Sequence, residues 1–128
     1  MMATMAGFLA TVLICDDEPP LRELIRLSLV GPYRFVEAHD GEQSLEVARR
    51  ERPDVVILDM MMPRLNGLEV LNELKREDGL AETPIIVLTA QPATREDALR
   101  AGADVVMVKP FEPDQIAAAV EEVLAEKA

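Results

Sequence analysis

Short apolar runs with no polar residue on either face recur along this chain, and each stops abruptly at a polar or charged side chain. Val12-Leu13-Ile14-Cys15 halts at Asp16-Asp17 and Val55-Val56-Ile57-Leu58 at Asp59. Ile85-Ile86-Val87-Leu88 halts at Thr89, and Val105-Val106-Met107-Val108 at Lys109. Successive side chains of a strand point to opposite faces, so a strand without alternation is buried on both. Burial on both faces is the condition of a parallel sheet covered by helices on each side.

The stretches between the runs supply those helices. Leu21, Leu24, Ile25, Leu27 and Ser28 recur at helical spacing, with Arg22, Glu23 and Arg26 assigned to the opposite face, and Gly31-Pro32 ends the helix. Arg34 to Ala38 reads as a short strand, and Asp40 as the N-cap of a helix over Gly41 to Glu51 that turns Leu45 and Ala48 inward. A loop with Pro63 and Gly67 leads to a helix through Leu68, Val70, Leu71 and Leu74. Pro92 to Ala101 reads as a helix closed by Gly102, and Glu112 to Glu126 as the last, with Ile116, Ala119, Val120, Val123 and Leu124 on one stripe. Five strand–helix repeats predict an α/β fold with a doubly wound, five-stranded parallel sheet in the order 2-1-3-4-5. This is a flavodoxin-like three-layer sandwich with right-handed crossovers.

The 128 residues suit one domain, expected over 9–128 after a loose N-terminal extension at 1–8. With 24 acidic against 13 basic residues the formal charge is −11, which repels phosphate backbones and anionic lipid. Direct nucleic-acid or membrane binding is therefore not expected. No run approaches the roughly 20 apolar residues that span a bilayer. The single cysteine, Cys15, cannot form an intrachain disulfide and reads as a small buried strand residue, which suits the cytoplasm.

In an open parallel sheet, ligands bind beyond the carboxyl ends of the strands near the switch in strand order. Asp16 and Asp17, Asp59, Thr89 and Lys109 all follow strands that meet there, so they are expected to converge. Three carboxylates at one rim repel one another, by roughly 4 kcal/mol for a pair about 4 Å apart at an effective dielectric near 20. A cation with oxygen ligands, Mg²⁺ or Mn²⁺, would relieve that repulsion and bridge a phosphate. A carboxylate can attack phosphorus, and a lysine and a hydroxyl can neutralise the transferred group's oxygens.

Each residue also has a plainer role open to it. Asp16-Asp17 could cap the following helix, Asp59 could be a turn residue, Thr89 could cap the fourth helix, and Lys109 could be solvated. His39 lies on the wrong strand for the rim and reads as a solvated loop residue. The convergence of all five at one rim favours the chemical role.

These residues resemble the CheY-like receiver domains of two-component signalling. The resemblance is carried by Asp16-Asp17-Glu18, by Leu58 to Pro63 with Asn66-Gly67, by Thr89-Ala90, by Ala101-Gly102-Ala103-Asp104 and by Lys109-Pro110-Phe111. It implies that Asp59 is the phosphoacceptor and that Asp17, Asp59 and the Met61 carbonyl ligate Mg²⁺, with Asp16 acting through water. It further implies that Lys109 pairs with the phosphoryl oxygens, that Thr89 moves to bond them, and that the small Ala90 leaves access open. Pro110 is where the family has a cis peptide bond. Met61 and Gln91 stand where the family tunes dephosphorylation. The implied donor is a sensor histidine kinase or histidine phosphotransfer protein, and the implied role is that of a signalling switch, not an enzyme.

Val106 occupies the position where the family often has a Tyr or Phe that swings inward with the threonine. Val105, Val106 and Met107 are therefore expected to present an apolar partner or phosphorylation-dependent homodimer surface. The output is expected through protein contact at the face of the fourth helix, fifth strand and fifth helix, since no further module follows within the 128 residues. Two alternatives are a phosphorylation-independent pseudo-receiver scaffold and a haloacid-dehalogenase-type phosphatase. The phosphatase requires a second Asp two residues after the first, where this chain has Met61.

Overall fold

The computed structural model describes residues 10–64 and 66–127, so the expected extension at 1–8 lies outside the described residues. Five strands alternate with five helices: β1 (Ala10–Cys15), α1 (Pro19–Ser28), β2 (Tyr33–Ala38), α2 (Gly41–Glu51), β3 (Val55–Asp59), α3 (Gly67–Arg76), β4 (Ile85–Thr89), α4 (Arg95–Arg100), β5 (Val105–Val108) and α5 (Pro113–Lys127). All pairings are parallel and the strand order is β2-β1-β3-β4-β5, as expected.

The unbroken apolar runs have the predicted cause. Leu13 and Cys15, Val56 and Leu58, and Ile85 and Val87 pack beneath α2, α3 and α4. Their neighbours in the chain, Val12 and Ile14, Val55 and Ile57, and Ile86 and Leu88, pack beneath α1 and α5. Each run thus divides its side chains between two apolar cores. Burial pushes the Cys15 thiol from its ordinary 9.0 up to about 12, as befits a packing residue.

Local signals set the helix starts. Pro19 and Pro20 open α1. Asp40 caps α2 by accepting the Gln43 N–H at 2.7 Å. Asn66 and Glu69 form a reciprocal capping box on α3, each side chain accepting the other's backbone N–H at 3.0 Å.

Four expectations are corrected. On α1 Leu21 and Ile25 pack inward as expected, joined just past its end by Leu29, whereas Leu24 and Leu27 are exposed and Arg22 turns toward Glu37 of the sheet. That helix ends at Ser28, before Gly31-Pro32, and β2 begins at Tyr33. Pro92 to Ala101 is not one helix: a 3-10 turn over Pro92–Thr94 precedes the shorter α4. Val105, Val106 and Met107 do not form a surface patch. Val106 is buried under the α2–α4 layer, and half-buried Val105 and Met107 pack toward α1 and α5, because helices cover this edge strand on both faces.

Gly67 holds the loop after β3 in place. Its N–H donates to the Met60 carbonyl at 3.1 Å, and a Cβ there would lie 2.5 Å from Met60 Cα and 2.9 Å from the Asp59 carbonyl oxygen. Moving the Met60 side chain, whose Sδ would lie 2.8 Å away, leaves both backbone clashes in place. Gly67→Ala is expected to lower stability by about 1–3 kcal/mol in urea unfolding; an effect within about 0.5 kcal/mol would show that the loop yields freely.

Cys15 gives an alkaline signature. Its raised folded-state pKa means its share of stability is complete below about pH 9 and lost as pH rises toward about 12, because only the unfolded chain releases the proton in that window. Cys15→Ala is expected to show a shallower fall in stability over that range, measured as unfolding midpoint against pH.

Candidate functional site

The register of the central strands brings the acids together. Cys15 pairs with Leu58 across β1 and β3, so the next residues in each strand direction are Asp16 and Asp59. Backbone bonds hold both strand ends: Asp16 N–H donates to the Ala38 carbonyl at 3.0 Å and Met60 N–H to the Leu88 carbonyl at 3.0 Å. Asp16 and Asp59 are buried and Asp17 is exposed. One carboxylate oxygen from each of the three lies within 4.8 Å of the others. Lys109, after β5, brings its Nζ to 3.3 Å from Asp59 Oδ2, and its own N–H donates to the Thr89 carbonyl at 2.7 Å.

The remaining oxygens are unevenly satisfied. Asp59 Oδ1 accepts the Met61 N–H at 3.1 Å, and Asp16 Oδ1 accepts the Glu18 N–H at 2.8 Å. Asp16 Oδ2 is buried and, among the described residues, has no hydrogen-bond partner. Burial, reinforced by its contact with Asp59, raises the Asp16 pKa to about 7 against the lowering effect of the Glu18 N–H. An unpartnered buried acceptor costs about 1–3 kcal/mol, more when charged. An all-oxygen donor set with one oxygen unsatisfied fits a hard divalent cation such as Mg²⁺. Asp16, Asp17 and Asp59 are the carboxylates grouped closely enough to hold it.

The structure therefore gathers Asp16, Asp17, Asp59 and Lys109. The acids do not cap α1, whose N-cap is Glu18 without a side-chain bond. Thr89 stands at the same rim, but its hydroxyl makes no hydrogen bond to Asp59 and is engaged within its own loop. It accepts the Gln91 N–H at 3.0 Å and pairs with the Thr94 hydroxyl at 2.8 Å. Ala90 and Pro110 are exposed at the rim, the Lys109–Pro110 peptide is cis, and the Met61 side chain is 65% exposed. His39 is exposed and lies 3.5 Å from Asp40, away from the acids.

Two contributors escaped the sequence pattern. Arg22 donates to the Asp16 carbonyl at 2.7 Å although its helical position had assigned it outward. Thr94 lies five residues beyond Thr89, and nothing in its neighbours signals a bond back to the strand end.

The family model for the response regulator receiver domain matches residues 12–121. The chain belongs to this receiver family. It is 45% identical over 117 residues to the "probable transcriptional regulator ycf27" of Guillardia theta, covering 88% of this chain and 44% of that protein. The chain spans about half the length of the curated relatives it matches. Among solved structures it resembles the receiver domain of AraT, a response regulator from Geobacillus stearothermophilus, with a TM-score of 0.83 and 32% identity, covering 93% of this chain and 95% of that one. Vibrio cholerae chemotaxis protein CheY4 gives a TM-score of 0.82 and 31% identity, covering 90% and 98%. Among the described residues no helix is long and apolar enough to cross a membrane.

If crowded carboxylates await a cation, neutralising one should help the metal-free protein and abolish its response to metal. Asp17→Asn is expected to melt above the parent in metal-free buffer. Mg²⁺ at ten times its dissociation constant should add about 1.4 kcal/mol to the parent and almost nothing to the variant. For a domain of this size that is a rise of about 3–6 °C in the parent alone, read by calorimetry. An equal rise in both would place the ion elsewhere.

Proposed function

We propose that this receiver domain, spanning 9–128, is a Mg²⁺-dependent phosphorylation switch with Asp59 as phosphoacceptor. The observation that carries this is the position of Asp59, buried at the end of β3, with Lys109 at 3.3 Å on one side and Asp16 and Asp17 on the other. One oxygen of its carboxylate attacks the phosphorus of a phosphohistidine on a histidine kinase or phosphotransfer protein. A P–O bond to Asp59 forms, the P–N bond to the donor imidazole breaks, and that imidazole leaves with the bonding electron pair and takes up a proton. The Lys109 ammonium offsets charge on the phosphoryl oxygens. Mg²⁺, when bound by Asp16, Asp17, Asp59 and the Met61 carbonyl, supplies further charge neutralisation there.

The switch runs through Thr89. To bond a phosphoryl oxygen its hydroxyl must leave Thr94 and the Gln91 N–H, which loosens the turn that starts α4. That change reaches a protein target at the α4–β5–α5 face without needing an aromatic at Val106. Phosphorylation alters contacts instead of turning over a substrate, so the domain acts as a signalling switch in the cytoplasm.

Acetyl phosphate with Mg²⁺ is expected to add the mass of one phosphoryl group to the intact chain, and Asp59→Asn is expected to take up none. Uptake by that variant at the parent's rate would move the acceptor elsewhere. Lys109→Gln should slow uptake by about 100-fold, the scale of losing one charge-stabilising donor. With the phosphoryl mimic beryllofluoride, amide resonances between 90 and 108 are expected to shift in the parent and to stay nearly still in Thr89→Ala. Equal shifts in both would remove Thr89 from the relay.

A further inference from the structure

We propose that Arg22 is a positioning residue for the carboxylates of Asp16 and Asp17, fixing the peptide between them for cation binding; this rests on the metal-dependent role proposed above. The Asp16–Asp17 peptide lies past the end of β1, where sheet hydrogen bonding stops. Its N-terminal side is fixed by the Asp16 N–H to the Ala38 carbonyl at 3.0 Å, and the Asp16 side chain by the Glu18 N–H at 2.8 Å. The Asp16 carbonyl, which sets the plane of the peptide and hence where Asp17 points, is held by Arg22 Nη1 at 2.7 Å.

Arg22 is itself held in place. Its Nε donates to Glu37 Oε1 at 2.7 Å, and Arg26, one turn further along α1, donates from Nη1 to Glu37 Oε2 at 2.8 Å. Arg26 also pairs with Glu23 on the same helix. Glu37 is the next-to-last residue of β2 and points to the α1 side, as its neighbours Tyr33 and Phe35 do. The Arg22 side chain is only 17% exposed, so its own bonds to Glu37 and the Asp16 carbonyl are largely sheltered, while Arg26 at 40% is more open. A planar guanidinium can serve two acceptors from one rigid fork, which an ammonium cannot do over the same span. Glu37 thus aims Arg22, and Arg22 aims the peptide that carries both acids. Partners that orient metal ligands without touching the ion commonly change affinity by about 10–100-fold when removed.

The alternative is that Arg22 only staples α1 to β2, and the two arms of the staple separate these roles. Arg22→Met removes both the staple and the bond to the Asp16 carbonyl; Arg26→Met removes the other arm and leaves that bond. Each full-length variant and the wild type is titrated with MgCl₂, following the amide resonances of Asp17, Glu18 and Met61 at a temperature where all are folded. The expected result is Mg²⁺ binding about tenfold weaker in Arg22→Met and unchanged in Arg26→Met. Wild-type affinity in Arg22→Met, or equal weakening in both variants, overturns the positioning role. No Mg²⁺ response in the wild type overturns the metal-dependent role as well, and the shared titration tells the two failures apart. Should Arg22→Met not fold, Arg22→Lys replaces it with the same expectation, since it keeps the charge but loses the two-armed reach.

Discussion

The pairing of β1 with β3 is the constraint on which everything else depends. Both strands are buried on both faces, and their register places Val12 opposite Val55 and Cys15 opposite Leu58. A slip of one residue would exchange the two faces of a strand, sending its side chains into the wrong core and parting Asp16 from Asp59. Hydrophobic burial therefore does more than stabilise the sheet. It fixes, to within a residue, where two carboxylates emerge at the rim, and the acids need no affinity for one another to be brought there. Gly67 extends the same control past β3, because only its missing side chain lets α3 start against the Met60 backbone.

The rim so formed is electrostatically incomplete. Asp59 has Lys109 and the Met61 N–H, while Asp16 keeps one buried oxygen unsatisfied, and burial pushes its pKa up to about 7. Elsewhere the Asp40 cap and the Asn66–Glu69 box spend their side-chain oxygens on backbone N–H groups. Concentrating the unsatisfied charge at one place, on the most tightly packed strands, leaves a site whose stability depends on what binds it. The stabilising interactions around it act on backbone: Arg22 on the Asp16 carbonyl, Gly67 on Met60, Lys109 on Thr89. Among the described residues one carboxylate oxygen, Asp16 Oδ2, is left without a partner.

Most of the fold could be read from the sequence because a doubly buried strand admits no polar residue, and that pattern survives without knowledge of any neighbour. The boundaries of α2 could be read for a different reason, since the Asp40 cap is written in three adjacent residues. The box of Asn66 and Glu69 was equally local and would have marked the start of α3. Helix α1 is legible only in part: Leu21 and Ile25 face the core, but Leu24 and Leu27 look like core and are exposed, while Arg22 looks like surface and is not. A long arginine buries its stem when a carboxylate waits beneath it, and Glu37 on the edge strand is far away in sequence. At the site, Asp16, Asp17, Asp59 and Lys109 were legible because each ends a strand. Arg22 and Thr94 were not, because each acts through a hydrogen bond that depends on how two elements pack.

Thr89 and Val106 show how the rim connects to the rest of the molecule. Val106 is a small side chain closed into the α2–α4 core, so it offers no ring to swing and no apolar patch to present. Thr89 instead has its hydroxyl tied to Thr94, at the junction where the 3-10 turn passes into α4. That junction is the weak point of its layer: α4 spans only Arg95 to Arg100, its N-cap Thr94 makes no side-chain cap bond, and among its residues Ala98 alone is buried. A short helix with one buried side chain and no cap is held mainly by what grips its first turn. The Thr89–Thr94 bond is that grip, and the same hydroxyl is the one a phosphoryl group on Asp59 would claim. In the proposed switch, competition for this single hydroxyl would convert a charge placed at the rim into movement of α4, with Val106 as packing behind it.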